Sequence, residues 1–357
     1  MVAGPPCKVF LNQGRTAARP IGLHQGSVRR KTKENNGLSD ALLVTRDDVL
    51  AAAERIAGLV IQTPLIETRI LGQKLWFKCE CLQTGGAFKL RGASNRLLQL
   101  SAEERKAGVV AFSSGNHARG VAIAARRLSI PALIVMPSDA PQVKIDSTRA
   151  EGAEIILYDR RTEDRIAIAA RIAAERGAVV VPSFDDVAIV AGQGTAGLEI
   201  LDQLAVAGEA PPRRVVVPCG GGGLASGIAL ACPDAEINIV EPEGWHDMRR
   251  SLELGRIVPV DADAPPTLCD ALQTAVVSPI TFGILQARKA TAFAVSESEV
   301  AAAVRWAWRE HELIVEPGGA VAIAALLSGR IIAAEGTVAL VSGGNIEPAL
   351  HDAILKC

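Results

Sequence analysis

Arg214-Val-Val-Val-Pro-Cys-Gly-Gly-Gly-Gly-Leu-Ala-Ser-Gly-Ile-Ala-Leu-Ala231 runs from an apolar strand, Arg214–Pro218, through four glycines into a helix beginning near Ala225. Four consecutive glycines lose much conformational entropy on ordering, so a plain turn has little use for them. They do let backbone N–H groups of Gly220, Gly221, Gly222, Gly223 and Leu224 close around a phosphate, and the helix N-terminus adds its attraction. The run is neither GxGxxG nor GxxxxGK[ST], which sets aside the dinucleotide and P-loop readings. A structural turn is the alternative to a phosphate cradle.

Working outward, three further loops stand at the ends of predicted strands or before helices, the edge where open α/β sheets bind ligands. Gln83-Thr-Gly-Gly-Ala-Phe-Lys-Leu-Arg-Gly92 follows the alternating strand Leu75–Cys79 and leads into a helix over Arg91–Leu100. Lys89 there lies beside Phe88 at a helix start, where the macrodipole disfavours its charge and helps keep the amine neutral for attack. Taken alone, Lys89 and Arg91 fit a solvated helix start at least as well. Ser113-Ser-Gly-Asn-His117 joins the strand Val109–Phe112 to the helix Ala118–Leu128, and its hydroxyls, amide and N–H groups suit an anion. An N-cap cluster with a satisfied histidine explains it equally. Ser342-Gly-Gly-Asn345 follows the strand Val338–Val341; alone it is a weak signal, which a tight turn explains equally.

Between these loops the chain alternates. Strands are predicted at Ala132–Met136, Glu154–Tyr158, Ala178–Val181 and Glu236–Val240. Helices are predicted at Asp47–Ala57, Val143–Glu151, Asp164–Arg176, Thr195–Leu204, Glu297–Glu310 and Ala320–Leu327. Thr45-Arg-Asp-Asp48 and Ser101-Ala-Glu-Glu104 read as capping boxes. Continuous apolar strands between helices imply an α/β fold with parallel sheets covered on both faces.

Composition narrows the classes. A chain of 357 residues, 49% hydrophobic and 22% charged, buries a sizeable core in one or two domains. A net charge of −1 leaves no overall footprint for nucleic acid or an anionic membrane, and no apolar run reaches bilayer length. Residues 1–37 read as a disordered basic leader, with seven Lys/Arg before the first acid; a targeting segment is the alternative. The 7 cysteines show no framework or zinc spacing; Cys79 and Cys81 fall on one face of a strand. That pattern suits a reducing compartment, and a cytoplasmic location is expected.

Taken together and in order, the four loops resemble those of the pyridoxal-phosphate (PLP) dependent tryptophan-synthase-β, or fold type II, superfamily. Within it they are most similar to the threonine/serine dehydratase and serine racemase group. The resemblance runs from about Leu38 to the C-terminus and includes Val190-Ala-Gly-Gln-Gly-Thr195, Val240-Glu-Pro-Glu-Gly244 and Val315-Glu-Pro-Gly-Gly319. It implies two open-sheet α/β domains with PLP in the cleft between them. In that reading residues 38–108 plus 185–357 form the large domain and 109–184 a small domain inserted in it, and a homodimer is expected.

The resemblance also implies roles. Lys89 holds PLP as a Schiff base and moves the Cα proton. Phe88 packs on the cofactor ring, Asn116 bonds its 3′-hydroxyl, Gly220–Leu224 hold the phosphate and Ser342 meets the pyridine nitrogen. Ser113, Ser114, Asn116 and His117 receive the substrate carboxylate. The implied reaction is threonine/serine ammonia-lyase, giving a 2-oxo acid and ammonia. Serine racemase, with Ser114 as a second acid/base, and 3-hydroxyaspartate ammonia-lyase are the alternatives, with a non-catalytic PLP-binding protein more remote. Glu241, Asp247 and the Trp245 carbonyl match a cation site of part of the group, suited to Mg²⁺ or Ca²⁺; exposed acids are the other reading, and His246 is a bystander.

Three departures stand out. Gly85 occupies the usual threonine slot, with Thr84 displaced by one, and Ala271 stands where many relatives have glycine. Only twelve residues follow Asn345, so the regulatory domain of biosynthetic threonine dehydratases is not expected.

Overall fold

The computed structural model describes residues 43–356, and the leader expected over 1–37 lies outside the described residues. The first half comprises α1 (Arg46–Ile56), β1 (Leu65–Ile70), β2 (Gln73–Cys79), α2 (Lys89–Leu98), α3 (Ala102–Ala107), β3 (Val109–Phe112) and α4 (Asn116–Arg127). It continues with β4 (Ala132–Pro137), α5 (Gln142–Ala150), β5 (Glu154–Tyr158), α6 (Arg165–Arg176) and β6 (Val179–Val180). Then follow α7 (Val187–Val206), β7 (Arg214–Pro218), α8 (Gly223–Ala231), β8 (Glu236–Pro242), α9 (Asp247–Leu254) and α10 (Pro279–Ala287). The chain closes with β9 (Thr291–Val295), α11 (Glu297–His311), α12 (Pro317–Leu327), β10 (Thr337–Val341) and α13 (Pro348–Lys356).

Two sheets result. One has six strands in the order β1-β2-β10-β7-β8-β9, the other four in the order β5-β4-β3-β6. Every pairing is parallel except β1 with β2. The parallel interior strands β7 and β10 are buried nearly throughout, as strands covered by helices on both faces must be. β1 sits at the edge and keeps Glu67 and Arg69 exposed. No described helix is long and apolar enough to cross a membrane.

Small residues let the helices approach. A Cβ on Gly192 would lie 2.7 Å from Gly92 Cα, and one on Gly194 would lie 2.7 Å from the Gly227 carbonyl. These close passages explain why α7 runs unbroken over twenty residues, where the sequence suggested a helix only from Thr195. The glycines of Val190–Thr195 make a contact surface for α2 and α8. The capping boxes at Thr45 and Ser101 form as expected.

Other boundaries moved. Cys81 leaves the strand and belongs to a short 3₁₀ turn, Glu80–Leu82, so it is not on a strand face with Cys79. Cys79, Cys81, Cys219, Cys232 and Cys269 are buried free thiols. The strands β1 and β9 and the helices α9, α10 and α13 lie outside the segments expected from the sequence, and the structure reveals them.

The sheet order explains how the candidate loops meet. β2, β10 and β7 are neighbours although β10 lies more than 250 residues beyond β2. Their carboxyl ends therefore present Gln83–Lys89, Ser342–Asn345 and Cys219–Gly223 side by side. β3 of the second sheet supplies Ser113–His117.

Candidate active site

A turn through two left-handed glycines brings Lys89 into place. Gly85 and Gly86 have φ of +83° and +76°, the left-handed region that glycine enters without a Cβ penalty. A Cβ on Gly85 would also lie 2.7 Å from Ile123 Cδ1. The threonine slot therefore holds glycine here for a local geometric reason. The turn is pinned by Gly86 N donating to Gln83 O at 2.7 Å and Gly344 N donating to Gly86 O at 2.8 Å. Phe88 N donates to the Ser342 carbonyl at 3.2 Å, so Ser342 and Lys89 are adjacent.

Lys89 opens α2, and its first turn contains no acid. Burial, first, pulls the amine down to about 8, against the opposing charge of Glu316. Desolvation is thus the larger cause, beyond the dipole argument made from sequence. Nζ donates to the Ser183 carbonyl at 2.9 Å and lies 5.1 Å from the Phe88 ring centroid. Phe88 itself is half-buried and packs on the core beneath β7 and α8.

Behind α2 a buried ion network fixes the turn. Arg91 donates to Glu80 at 2.8 Å and to Glu199 at 2.6 Å, and Lys78 donates to Glu199 at 2.5 Å. Burial alone would raise the Glu80 carboxyl, but Arg91 beside it more than offsets that and lowers it. Arg91 is therefore a fully buried structural cation, not part of a solvated helix start.

The Ser113–His117 loop faces this turn. Gly115 N donates to Ser113 Oγ at 3.1 Å, while Ser113 and Ser114 remain partly accessible. Asn116 is engaged at both ends of its amide: Nδ2 donates to Glu316 at 2.5 Å and Oδ1 accepts from Asn345 Nδ2 at 2.7 Å. Asn345 also reaches the Gly85 carbonyl at 2.8 Å and accepts from Arg119 at 3.1 Å. The His117 ring is buried, with Nε2 donating to the Val181 carbonyl at 2.9 Å, and burial together with Lys89 lowers it to about 3. It is a neutral, core-held imidazole, which leaves its backbone N–H in the first turn of α4 as the polar group offered to a ligand.

The glycine run is crowded from outside. A Cβ on Gly220 would meet Leu272 Cα at 3.1 Å, one on Gly221 would collide with the Phe184 ring, and one on Gly222 would lie 2.8 Å from Met248 Cε. Gly222 also has φ +85°. Among the described residues the Gly220 and Gly221 N–H groups meet no acceptor. The first turn of α8 likewise frees its own donors. These open N–H groups, beside a desolvated lysine and a hydroxyl at Ser342, fit a phosphorylated pyridine cofactor.

The sequence reading missed several neighbours. Glu316, at the start of α12, is buried, and burial, first, and then Asp270 push its carboxyl up to about 7. Ser183 and Phe184 close the site from the loop after β6. Only the run Val315–Gly319 hinted at Glu316; nothing in the sequence marked the other two.

The cation candidates also meet. Glu241 accepts from Met248 N at 3.0 Å and Arg249 N at 2.9 Å, which places it at the start of α9 beside Asp247. Both are buried, and neither Asp247 oxygen has a partner among the described residues. The surface-acid reading is thereby set aside. Two buried carboxylates, of which Asp247 has orphaned oxygens, fit a hard cation, although no group of three His, Cys, Asp or Glu side chains gathers among the described residues. The His246 ring accepts from Gly244 N at 3.1 Å instead.

Comparisons with known proteins bear on the family. The profile of the family described as pyridoxal-phosphate dependent enzyme matches residues 32–343. The chain is 41% identical to the L-threo-3-hydroxyaspartate ammonia-lyase of a Pseudomonas species, over 87% of this chain and 98% of that one. It is 37% identical to the serine racemase of Schizosaccharomyces pombe, over 87% and 97%. Among solved structures, the serine racemase of maize superposes with a TM-score of 0.81 at 34% identity, covering 88% of this chain and 97% of that one.

Proposed function

Because the chain belongs to the pyridoxal-phosphate dependent enzyme family, within its ammonia-lyase and racemase branch, we propose that it is an ammonia-lyase for β-hydroxy-α-amino acids. The substrates are threonine, serine and 3-hydroxyaspartate, and the products are a 2-oxo acid and ammonia. The observation that carries the reading is the placement of a desolvated Lys89 amine among three loops from adjacent strand ends, with Ser342 beside it.

When bound, PLP supplies an electron sink that makes loss of the Cα proton possible at neutral pH. Lys89 holds the cofactor and takes the proton. The N–H groups of Gly220–Leu224 hold its phosphate with the α8 dipole. Ser342 offers a neutral hydroxyl to the ring nitrogen, and Phe88 supports the ring. Ser113, Ser114, Asn116 and the His117 N–H receive the α-carboxylate. Water lost from Cα and Cβ leaves an unsaturated amino acid, which takes water back on hydrolysis and releases ammonia.

The smaller unit, residues 109–184, is proposed to close over residues 38–108 and 185–357 and exclude solvent. A second reading, racemisation, is favoured by the partly accessible Ser114 hydroxyl and by the likeness to serine racemases. The test is an absorbance scan for the Schiff-base band, followed by a 2-oxo acid assay on threonine, serine and 3-hydroxyaspartate. A colourless protein after PLP addition, or no oxo acid from any of the three, overturns the proposal.

A further inference from the structure

Lys144 and Asp270 join α5, beside the four-stranded sheet, to the 3₁₀ turn that borders the glycine run. Lys144 lies in the first turn of α5, which follows β4 of the four-stranded sheet, and its Nζ is 2.5 Å from Asp270 Oδ2. Asp270 begins the 3₁₀ turn Asp270–Leu272. That turn packs on the glycine run, where Leu272 crowds Gly220, and on α12, where Ala271 and Leu272 crowd Gly318. The ion pair thus connects α5 to the outer wall of the phosphate cradle.

The two partners differ in exposure. The Lys144 side chain is 21% exposed and that of Asp270 51%. The carboxylate is the more solvent-exposed partner of the two. Both charges are felt inside the site: Glu316, which bonds Asn116 of the carboxylate loop, has its carboxyl raised by Asp270 and lowered by Lys144. Lys144 is therefore within electrostatic reach of the loop assigned to the α-carboxylate, yet it touches none of that loop's residues in the hydrogen bonds observed.

A substrate with an acidic side chain brings a second carboxylate to this place; serine and threonine bring none. We propose that Lys144 is a specificity-determining residue that receives the distal carboxylate of an acidic β-hydroxy amino acid, with Asp270 as its partner until such a substrate arrives. The proposal rests on the lyase reading above. Exchanging one carboxylate for another keeps Lys144 paired throughout and leaves the displaced Asp270, half exposed, to solvent. A neutral substrate leaves the Lys144–Asp270 pair intact and gains nothing from it. Discrimination is then a difference in binding between two occupants of one cation.

The experiment uses the PLP-loaded full chain as wild type, Lys144→Met, Lys144→Arg and Asp270→Asn. Steady-state kinetics are measured on L-threo-3-hydroxyaspartate, serine and threonine. Lys144→Met is expected to lower kcat/KM for hydroxyaspartate about tenfold or more, mainly through KM, while serine and threonine stay within about threefold. Lys144→Arg restores most of the loss. Asp270→Asn leaves hydroxyaspartate KM unchanged or lower. In parallel, the melting midpoint is read with succinate, a dicarboxylate without the reacting groups, and with acetate. Succinate is expected to raise it in wild type and Asp270→Asn but not in Lys144→Met, and acetate in none. Equal losses on all three substrates, or a succinate effect that survives Lys144→Met, make the pair only a strap between the units and overturn the proposal. If wild type turns over none of the three, the lyase reading fails, and the succinate measurement alone decides Lys144.

Discussion

The Lys89 amine donates to the Ser183 carbonyl at 2.9 Å, which ties the first residue of α2 to the loop that follows the second sheet. A carbonyl oxygen stabilises an amine hydrogen without supplying a full countercharge. Burial therefore dominates, and the amine is drawn down to about 8. A lysine prepared in this way is a nucleophile at neutral pH.

The first expectation follows from that preparation. Purified protein with PLP should show the Schiff-base absorbance, and borohydride should fix the cofactor on Lys89. Lys89→Ala should lower turnover by roughly 10²–10⁴-fold with the melting curve retained. A label on another lysine in the borohydride digest contradicts the assignment.

Ser114 separates elimination from racemisation. To return a proton with inverted configuration, a group must act from the face opposite Lys89, and Ser114 is one of two partly accessible serines of the facing loop. Ser114→Ala should reduce any racemisation by about 10²-fold, the usual worth of a positioned acid/base, and cost elimination less, through a higher KM from the lost carboxylate contact. Chiral chromatography of serine after incubation, run beside the oxo acid assay, gives the comparison. Parallel loss of both activities makes Ser114 a carboxylate binder.

Gly85 can be tested by restoring the family's residue. At φ +83°, and with Ile123 Cδ1 2.7 Å from the place of a Cβ, threonine is strained twice over. Gly85→Thr should destabilise the fold by about 1–3 kcal/mol and disturb the neighbouring Lys89. Denaturant unfolding measures it. A neutral or stabilising result means that the turn relaxes to accept a side chain.

The legibility of these parts differs for physical reasons. Glycine runs, capping boxes and apolar strands act locally, so the sequence shows Gly220–Gly223, Ser113–His117 and the β7–α8 junction nearly where they stand. Glu316, Phe184 and Ser183 acquire their meaning only through burial against residues far along the chain. The glycines of α7 carry the opposite lesson. Locally they weaken a helix, yet contact with Gly92 and Gly227 overrides that propensity. Edge strands such as β1, half polar, and helices that start inside a motif, such as α9 at Asp247, are masked by the signals around them.

Glu316 gives a pH signature. Burial raises its carboxyl from the ordinary 4.5 to about 7 in the folded protein. Between these values the folded state holds a proton that the unfolded state has lost, so its contribution to stability is present below 4.5 and lost as pH rises through about 7. The amount is on the order of 3 kcal/mol, at 1.36 kcal/mol per pKa unit. In cofactor-free protein, Glu316→Gln should flatten the fall in melting midpoint across that window. An unchanged slope places the titration elsewhere.

The cation candidate yields the sharpest test of a ligand. Glu241 already caps α9 through Met248 and Arg249, while both Asp247 oxygens are buried without partners. Two carboxylates held close repel each other, and the low dielectric of their surroundings strengthens that repulsion. A hard cation with oxygen ligands relieves it. A ligand that binds only the folded state stabilises by RT ln(1 + [L]/Kd), about 2.7 kcal/mol at a hundredfold excess over Kd. EDTA should therefore lower the melting midpoint of wild type, and Mg²⁺ or Ca²⁺ should restore it. In Asp247→Ala, where the repulsion is gone and a ligand is missing, neither addition should move the midpoint. If wild type ignores both EDTA and added metal, the buried pair is held by α9 and protonation alone.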